Sequence, residues 1–188
     1  MKSFALLLAF VSSSALALDF SGIQNWTGSG ANEAALVVDF ADSGPAFAWG
    51  FRFDGAPTSF AMINAIAAAD PNLEIQTTFY QGFGNAITGI RYGTLARGGF
   101  EPGSSGYFEF LTADGTSSQP LNWSSSQVGV EARTLGEGSW DAYAWAPDFV
   151  GTGPDAVIVP AAPVPEPSAL AVLATGALAF ARRRRRAV

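Results

Sequence analysis

A regular alternation of side-chain types between residues 47 and 53 is the feature that most constrains how this chain can fold. Every second side chain there is aromatic, and the positions between are small or charged. A period of two is that of a β-strand with one face in a core. Residues 36–40 alternate in the same way, and residues 41–45 have the composition of a turn, so the two segments predict a hairpin. The predicted inner face consists of Phe47, Trp49, Phe51 and Phe53.

A helical periodicity is present in residues 58–69. Phe60, Ile63 and Ala67 recur there at helical spacing, after a threonine suited to capping and before an aspartate–proline pair. We therefore expect a mainly β fold, an antiparallel β-sandwich-like domain with one inserted amphipathic helix. An α+β single sheet is the alternative. The other predicted strands are residues 73–80, 86–92, 106–111, 128–135 and 142–145.

The chain contains no cysteine and no histidine. Disulfides are therefore impossible, and the commonest zinc ligands and catalytic bases are missing. A catalytic serine would have no imidazole to activate it, and Lys2, the one lysine, lies in a segment that we expect to be removed. The composition therefore predicts a non-enzymatic protein without a cofactor, stabilised by an ordinary hydrophobic core.

The charges are distributed unevenly along the chain. The whole sequence has a formal net charge of -6, but residues 18–164 contain four arginines and fifteen acidic residues, a net charge of -11. A surface this negative repels phosphate backbones. We therefore expect no nucleic-acid partner for the central region.

Residues 1–17 have the three-part plan of a secretory signal peptide. Lys2 precedes an apolar stretch at 4–11, and small residues then lead to Ala15 and Ala17 in an A-x-A pattern. The pattern predicts export and cleavage by signal peptidase after Ala17. The alternative is a short buried helix.

The last twenty residues combine an apolar stretch with a cluster of positive charge. Residues 169–181 would form a helix only about 20 Å long, shorter than the roughly 30 Å hydrocarbon core of a bilayer. The run Arg182 to Arg186 would extend the reach of this helix by snorkelling and hold its end in the cytoplasm. We expect a transmembrane helix with its N-terminus outside. The alternative is a nuclear-localisation or nucleic-acid-binding patch.

The C-terminus resembles a known sorting signal. Val164, Pro165, Glu166 and Pro167, followed by the apolar helix and the cluster Arg182, Arg183, Arg184, Arg185 and Arg186, are similar to the PEP-CTERM sorting domain of Gram-negative bacteria. The resemblance implies an exported protein, anchored transiently in the inner membrane by its tail and then processed by an exosortase near the Pro-Glu-Pro motif. It also implies a final location at the cell surface or in the extracellular matrix, in association with exopolysaccharide or biofilm.

These features divide the chain into four parts. The signal peptide at 1–17 precedes an acidic β-rich extracellular domain at 18–159. A proline-rich linker with the Pro-Glu-Pro motif follows at 160–168, and the transmembrane helix and arginine cluster occupy 169–188.

Three aspartates flank the predicted hairpin and would hold Ca²⁺ if the hairpin turn brought them together. Asp39 and Asp42 follow the first strand, and Asp54 follows the second. Carboxylate oxygens are the ligands that Ca²⁺ prefers. The alternative is that Asp42 and Asp54 are turn residues.

A carbohydrate-binding platform is predicted on the strand at 142–145. Alternation places Asp141, Tyr143 and Trp145 on one face, where aromatic rings would stack on sugars beside a hydrogen-bonding acid. The alternative is that these rings fill the core of a domain without disulfides.

A carboxylate-based glycoside hydrolase is the third functional hypothesis, after a non-enzymatic surface protein and a carbohydrate-binding module. Such an enzyme needs two carboxylates at a defined separation across a cleft. The candidate residues are Glu101, Glu109, Glu131 and Glu137.

Overall fold

The computed structural model describes residues 20–41, 46–115, 123–151 and 157–158. The predicted signal peptide, the proline-rich linker and the predicted transmembrane helix lie outside the described residues, as does Asp42. Within the described ranges, no helix is both long enough and apolar enough to cross a membrane.

Two sheets and one α-helix form the described part of the chain, after a short 3-10 helix at Phe20–Gly22. The strands are β1 (Trp26–Gly28), β2 (Asn32–Asp39), β3 (Ala46–Phe53), β4 (Leu73–Tyr80), β5 (Gly84–Tyr92), β6 (Leu95–Gly98), β7 (Gly106–Asp114), β8 (Ser124–Ser125), β9 (Ser139–Pro147) and β10 (Val157–Ile158). The helix α1 spans Ser59–Ala69. The larger, seven-stranded sheet has the order β1-β3-β2-β9-β7-β8, with β10 also pairing with β3, and the smaller sheet has the order β4-β5-β6. The predicted mainly β fold with one helix is confirmed.

The predicted hairpin is the antiparallel pair of β2 and β3, in which Leu36 pairs with Trp49. The aromatic side chains of β3 face the core together with Leu36 and Val38, and Trp49 is fully buried. The alternation therefore identified both the strand and its inner face.

The larger sheet is mixed, whereas we expected antiparallel pairing. At its centre β9 runs parallel to β2, with Val38 opposite Tyr143, and β1 and β10 both run parallel to β3. A parallel pair needs a long crossover connection rather than a tight turn. The chain between β2 and β9 supplies this connection, because it contains the helix and the whole smaller sheet.

The helix α1 begins and ends as its sequence predicts. The hydroxyl oxygen of Thr58 accepts a hydrogen bond from the backbone N–H of Ala61, and the N–H of Asp70 donates to the carbonyl of Ile66. The buried side chains of α1 include Met62 and Ile63, which pack in the same core as the aromatic face of β3. The helix and the smaller sheet thus cover one face of the larger sheet.

Residues 128–135 do not form the predicted strand. They form turns and a single bridge between Thr134 and Thr58. The first two backbone N–H groups of α1 donate to this segment: Ser59 to the carbonyl of Arg133, and Phe60 to the carbonyl of Val130. These N–H groups have no partner within a helix, so the segment satisfies the start of α1 instead of extending a sheet.

The opposite face of the larger sheet carries mainly small apolar side chains. Ala35, Val37 and Ala142 are fully buried there. Among the described residues, those that pack over this face include Phe20, whose ring stacks on Trp140 with centroids 4.8 Å apart. The N-terminal residues of the domain therefore form part of its second core.

Candidate ligand-binding groove

The hairpin of β4 and β5 presents exposed aromatic side chains on both of its faces. Alternating burial along β4 stops after Ile75, and the rest of the strand is exposed. The turn of the hairpin is closed by a hydrogen bond from the N–H of Phe83 to the carbonyl of Tyr80, 3.0 Å long. Phe79 is 68% exposed, Tyr80 is 50% exposed and Phe83 is 61% exposed. This arm therefore leaves an unusual amount of aromatic surface in contact with solvent.

A cavity of about 290 Å³ lies between this arm, the edge of β7 and the residues after β8. Its floor is apolar and belongs to the core, with Phe108, Phe110 and Tyr143 among its residues. Its upper wall is mixed and includes Phe83 and Tyr107. A largely apolar floor with polar groups above it is the usual composition of a small-molecule site.

A second cavity, of about 670 Å³, continues along the arm toward the turn at 101–104. One side is formed by β4 and β5, and Tyr80 belongs to that side. The two cavities share Ala86, Ile87, Tyr107 and Phe108. We therefore treat them as one channel, which we call the Tyr107 groove and define by the residues that line these two cavities.

Tyr107 lies at the junction of the two cavities and is 42% exposed. The ring of Phe149 stacks on it, with centroids 5.8 Å apart and planes inclined by 18°. This contact limits the orientations of the Tyr107 ring within the groove.

Two carboxylates lie near that end of the Tyr107 groove which the arm forms. Glu109 lines the first cavity and accepts a hydrogen bond from the hydroxyl of Ser125. Glu131 accepts hydrogen bonds from the side-chain N–H of Asn85 at 2.8 Å and from its backbone N–H at 3.1 Å. The side-chain bond, followed by the backbone bond, lowers the pKa of Glu131. Glu131 therefore ties the loop at 129–133 to the tip of the arm.

The opposite end of the groove contains an ion pair. Arg97 donates to Glu101, and the cavity residues of this end include Glu101. A third depression, lined by residues 101–105 together with Arg97 and Trp145, adjoins it. The pairing neutralises the charge of Arg97 locally.

The predicted platform on β9 is not a surface, and this interpretation was wrong. Asp141, Tyr143 and Trp145 do share one face of the strand, but they are 0%, 1% and 5% exposed. The face packs under the helix and the smaller sheet, and the ring of Tyr143 stacks on Phe110 at 5.1 Å. Alternation could assign these residues to one face, but it could not show that β9 is covered on both faces.

Asp141 belongs to a buried polar network instead. Its Oδ1 accepts from Nε of Arg133 at 3.2 Å, and the same arginine donates to Asp114 at 3.0 Å. Burial raises the pKa of Asp141, and the hydrogen bonds and positive charge of its partners only partly oppose that rise. Burial also raises the pKa of Tyr143, whose hydroxyl shares a hydrogen bond of 3.2 Å with the hydroxyl of Ser59. The network holds β9, the start of α1 and the end of β7 together.

Two of the three predicted calcium ligands, Asp39 and Asp54, are not brought together by the hairpin. Because the pairing is antiparallel, Asp39 lies at the turn end and Asp54 at the open end, on the order of 20 Å apart along the strands. Oδ1 of Asp39 accepts from the N–H of Ala41, and Oδ1 of Asp54 accepts from the N–H of Ala31. In the part of the chain that the structure describes, no three acidic, histidine or cysteine side chains are grouped as metal ligands.

The four glutamates considered for hydrolysis are dispersed. Glu101 and Glu109 line different cavities of the groove, and Glu131 bonds to Asn85. Glu137 accepts from the backbone N–H of Glu33 at 2.6 Å, at the start of β2. Each of the four therefore contacts a structural partner.

The exposed aromatics of the arm were missed by sequence reasoning. Phe79 and Phe83 stand close to Gly82 and Gly84, which both adopt positive φ angles of 83° and 92°. Aromatic residues around a turn of this kind cannot all point into a core, and this is the signal that would have identified the arm.

The structure thus defines a β-rich domain with a solvent-exposed groove, placed ahead of a long C-terminal segment. Residues 163–186 of that segment match the PEP-CTERM protein-sorting motif, which confirms the resemblance noted in the sequence. The match implies export, sorting to the surface or extracellular space, and an exosortase as the processing partner. No curated protein matches the chain.

Proposed function

We propose that this protein is a non-enzymatic component of the cell surface or extracellular matrix, delivered by an exosortase system and associated with exopolysaccharide. The sorting motif at 163–186 carries the proposal. The predicted signal peptide at 1–17 supplies the matching export step. The arginine run that follows the apolar stretch supports transient anchoring in the inner membrane before processing.

The chemistry of the chain supports a non-enzymatic role. The sequence has no histidine or cysteine, and the four candidate glutamates are engaged with structural partners. Hydrolysis of a glycosidic bond requires one carboxylic acid and one carboxylate that face each other across the substrate. Glu101 and Glu109 line different parts of the groove, and each already bonds to a structural partner, which favours binding over cleavage.

The acidity of the domain supports a hydrated, extracellular location. A net charge of -11 over residues 18–164 keeps such domains apart and soluble. It also disfavours anionic polymers as partners, which narrows the polysaccharides with which the domain would associate.

The sorting proposal is tested by the mature C-terminus of the surface protein. In a bacterium with an exosortase, intact-mass spectrometry of surface material should give a mass ending near Pro165 to Pro167. Substitution of Glu166→Gln together with Pro167→Ala should block processing and leave the protein in the inner membrane. Pro160→Ala, in the same proline-rich segment but outside the motif, is the matched control.

Two results would contradict the proposal. Surface protein that retains Arg182 to Arg186 would show that the tail is not a processing signal. Release of reducing ends from the cell's own exopolysaccharide by the purified protein would show that the domain is an enzyme.

A further inference from the structure

We propose that the Tyr107 groove binds an extended chain of sugar units that are uncharged or carry amino groups. This inference rests on the proposed surface function. It assigns the proposed association with exopolysaccharide to a specific site, which the sorting motif does not do.

The groove has two connected parts that suit consecutive units of a polymer. Two cavities of about 290 Å³ and 670 Å³ meet at Tyr107 and share the residues of its junction. Single ligand pockets commonly have volumes of about 300 to 1,000 Å³. Two connected sites of this size, both open to solvent, would accept consecutive units of one chain.

Aromatic rings are present in both parts of the groove. Phe83 lines the first cavity, Tyr80 lines the second, and Tyr107 lines both. The faces of a pyranose ring carry C–H groups, which pack favourably on an aromatic face, while its edge carries hydroxyls. Because these three rings are substantially exposed, covering them removes apolar surface from water.

Neutral hydrogen-bonding side chains lie beside these rings. Asn85, Ser125 and Ser126 line the first cavity, and Gln76 and Thr78 line the second. Amides and hydroxyls can each donate and accept, as sugar hydroxyls do. The groove therefore offers both kinds of contact that a pyranose presents.

The charges of the groove select among sugar polymers. None of the described residues that line the two cavities is a lysine or an arginine, and Glu109 contributes negative charge. The nearby Arg97 is already paired with Glu101. Chains with carboxylate, sulfate or phosphate groups would be repelled, whereas amino groups would be attracted.

Phe79 provides a matched control on the same arm. It is 68% exposed, more than Phe83 or Tyr107, but it lines neither cavity. Phe79→Ala therefore removes a comparable exposed ring while leaving the groove intact.

The test is affinity electrophoresis of the full-length chain in nonionic detergent. The gels contain hydroxyethyl cellulose as an uncharged polymer, chitosan as an amino polymer or alginate as a carboxylate polymer. We expect retardation through the groove by the first two and not by alginate, whose carboxylates would meet only the arginine run at 182–186. The double variant Phe83→Ala/Tyr107→Ala should lose affinity by about tenfold or more. Phe79→Ala should behave as the wild type, and Tyr107→Phe should retain most of the affinity.

Several results would overturn the proposal. These are no retardation by hydroxyethyl cellulose or chitosan, retardation by alginate that the double variant abolishes, equal loss in Phe79→Ala, or retardation by hydroxyethyl cellulose that the double variant leaves unchanged. Binding of an extended polypeptide such as casein, in place of the uncharged or amino polymers, would assign the groove to peptides instead. Melting temperatures of all variants within a few degrees of the wild type establish that the fold is unchanged.

The sorting proposal and the groove proposal fail in different measurements. The mature C-terminus depends on residues 163–186 and not on Tyr107. If the double variant reaches the surface with a correct C-terminus and still co-purifies with exopolysaccharide, the groove proposal fails and the surface function stands. If the wild type binds the polymers but its tail is never processed, the sorting proposal fails and the groove proposal stands.

Discussion

The indole N–H of Trp49 donates a hydrogen bond of 2.9 Å to Oδ2 of Asp70, and both residues are buried. Oδ1 of Asp70 accepts from the backbone N–H of Asn72 at 3.0 Å. Asp70 also ends α1, because its own N–H donates to Ile66. Asp70 thus joins three parts of the domain: the end of the helix, the following turn and the aromatic face of β3.

Substitution of Asp70 should therefore weaken the whole domain. Asp70→Ala leaves the buried indole N–H of Trp49 without its partner, and we expect a loss of about 2–3 kcal/mol in the free energy of unfolding. Asp70→Asn keeps an acceptor oxygen and should cost clearly less. Urea unfolding followed by tryptophan fluorescence measures both values. Equal losses for the two variants would show that the charge matters rather than the hydrogen bond.

The network of Asp141 and Arg133 predicts how stability changes with pH. The raised pKa means that Asp141 binds its proton more tightly in the folded chain than in the unfolded chain. Its contribution to the free energy of unfolding is therefore full below the unfolded pKa and is lost as pH rises through the folded pKa. The wild type should therefore lose stability relative to Asp141→Asn as pH increases above about 4. Melting temperatures of the two proteins in a pH series give the comparison.

Glu131 provides a control of opposite sign. Its pKa is lowered by hydrogen bonds from Asn85, so its contribution is present above the unfolded pKa and is lost as pH falls through the folded pKa. As pH rises through the acidic range, the wild type should become more stable relative to Glu131→Gln. If the stability of the wild type minus that of Asp141→Asn stays constant or rises with pH, the burial of Asp141 does not control its titration.

The hairpin and the helix could be predicted from sequence because their determinants are local. Thr58 is adjacent to the helix that it caps, and the residues that define the β3 face lie within one strand. The parallel pairing of β9 with β2 could not be predicted, since it joins Ala142 to Val37 across the whole insertion. The same limit explains the error at 128–135, where the segment bonds to the start of α1 rather than to a strand.

The candidate site was harder to predict for the same reason. The sequence predicted Tyr143 as a binding residue and missed Phe83, because it does not show that the first ring lies under the smaller sheet and the second at the end of an arm. Exposure of an aromatic residue depends on which layers cover its strand, and that is a property of the tertiary structure.

A close approach between Trp26 and Gly50 leads to a further prediction. The two residues pair across β1 and β3, and a Cβ atom at Gly50 would lie 2.4 Å from atoms of the indole ring. Gly50→Ala should therefore displace β1 and destabilise the domain by about 1–3 kcal/mol. Gly136→Ala, where a Cβ meets nothing within 4 Å, should change stability by no more than about 0.5 kcal/mol. Similar urea midpoints for the two variants would contradict the close approach.

The position of Phe20 connects the fold to the predicted export step. Phe20 and Ile23 are buried, and the ring of Phe20 stacks on Trp140 in the second core. Cleavage after Ala17 would leave Phe20 in the mature protein, so the predicted cleavage site keeps this core complete. Phe20→Ala should cost about 3 kcal/mol and shift the tryptophan fluorescence of the domain to longer wavelength, because it opens a cavity beside the ring of Trp140. Phe79→Ala removes an exposed phenylalanine and should do neither. A surface protein whose N-terminus begins after Phe20, with unchanged stability, would show that the mature domain does not use this residue.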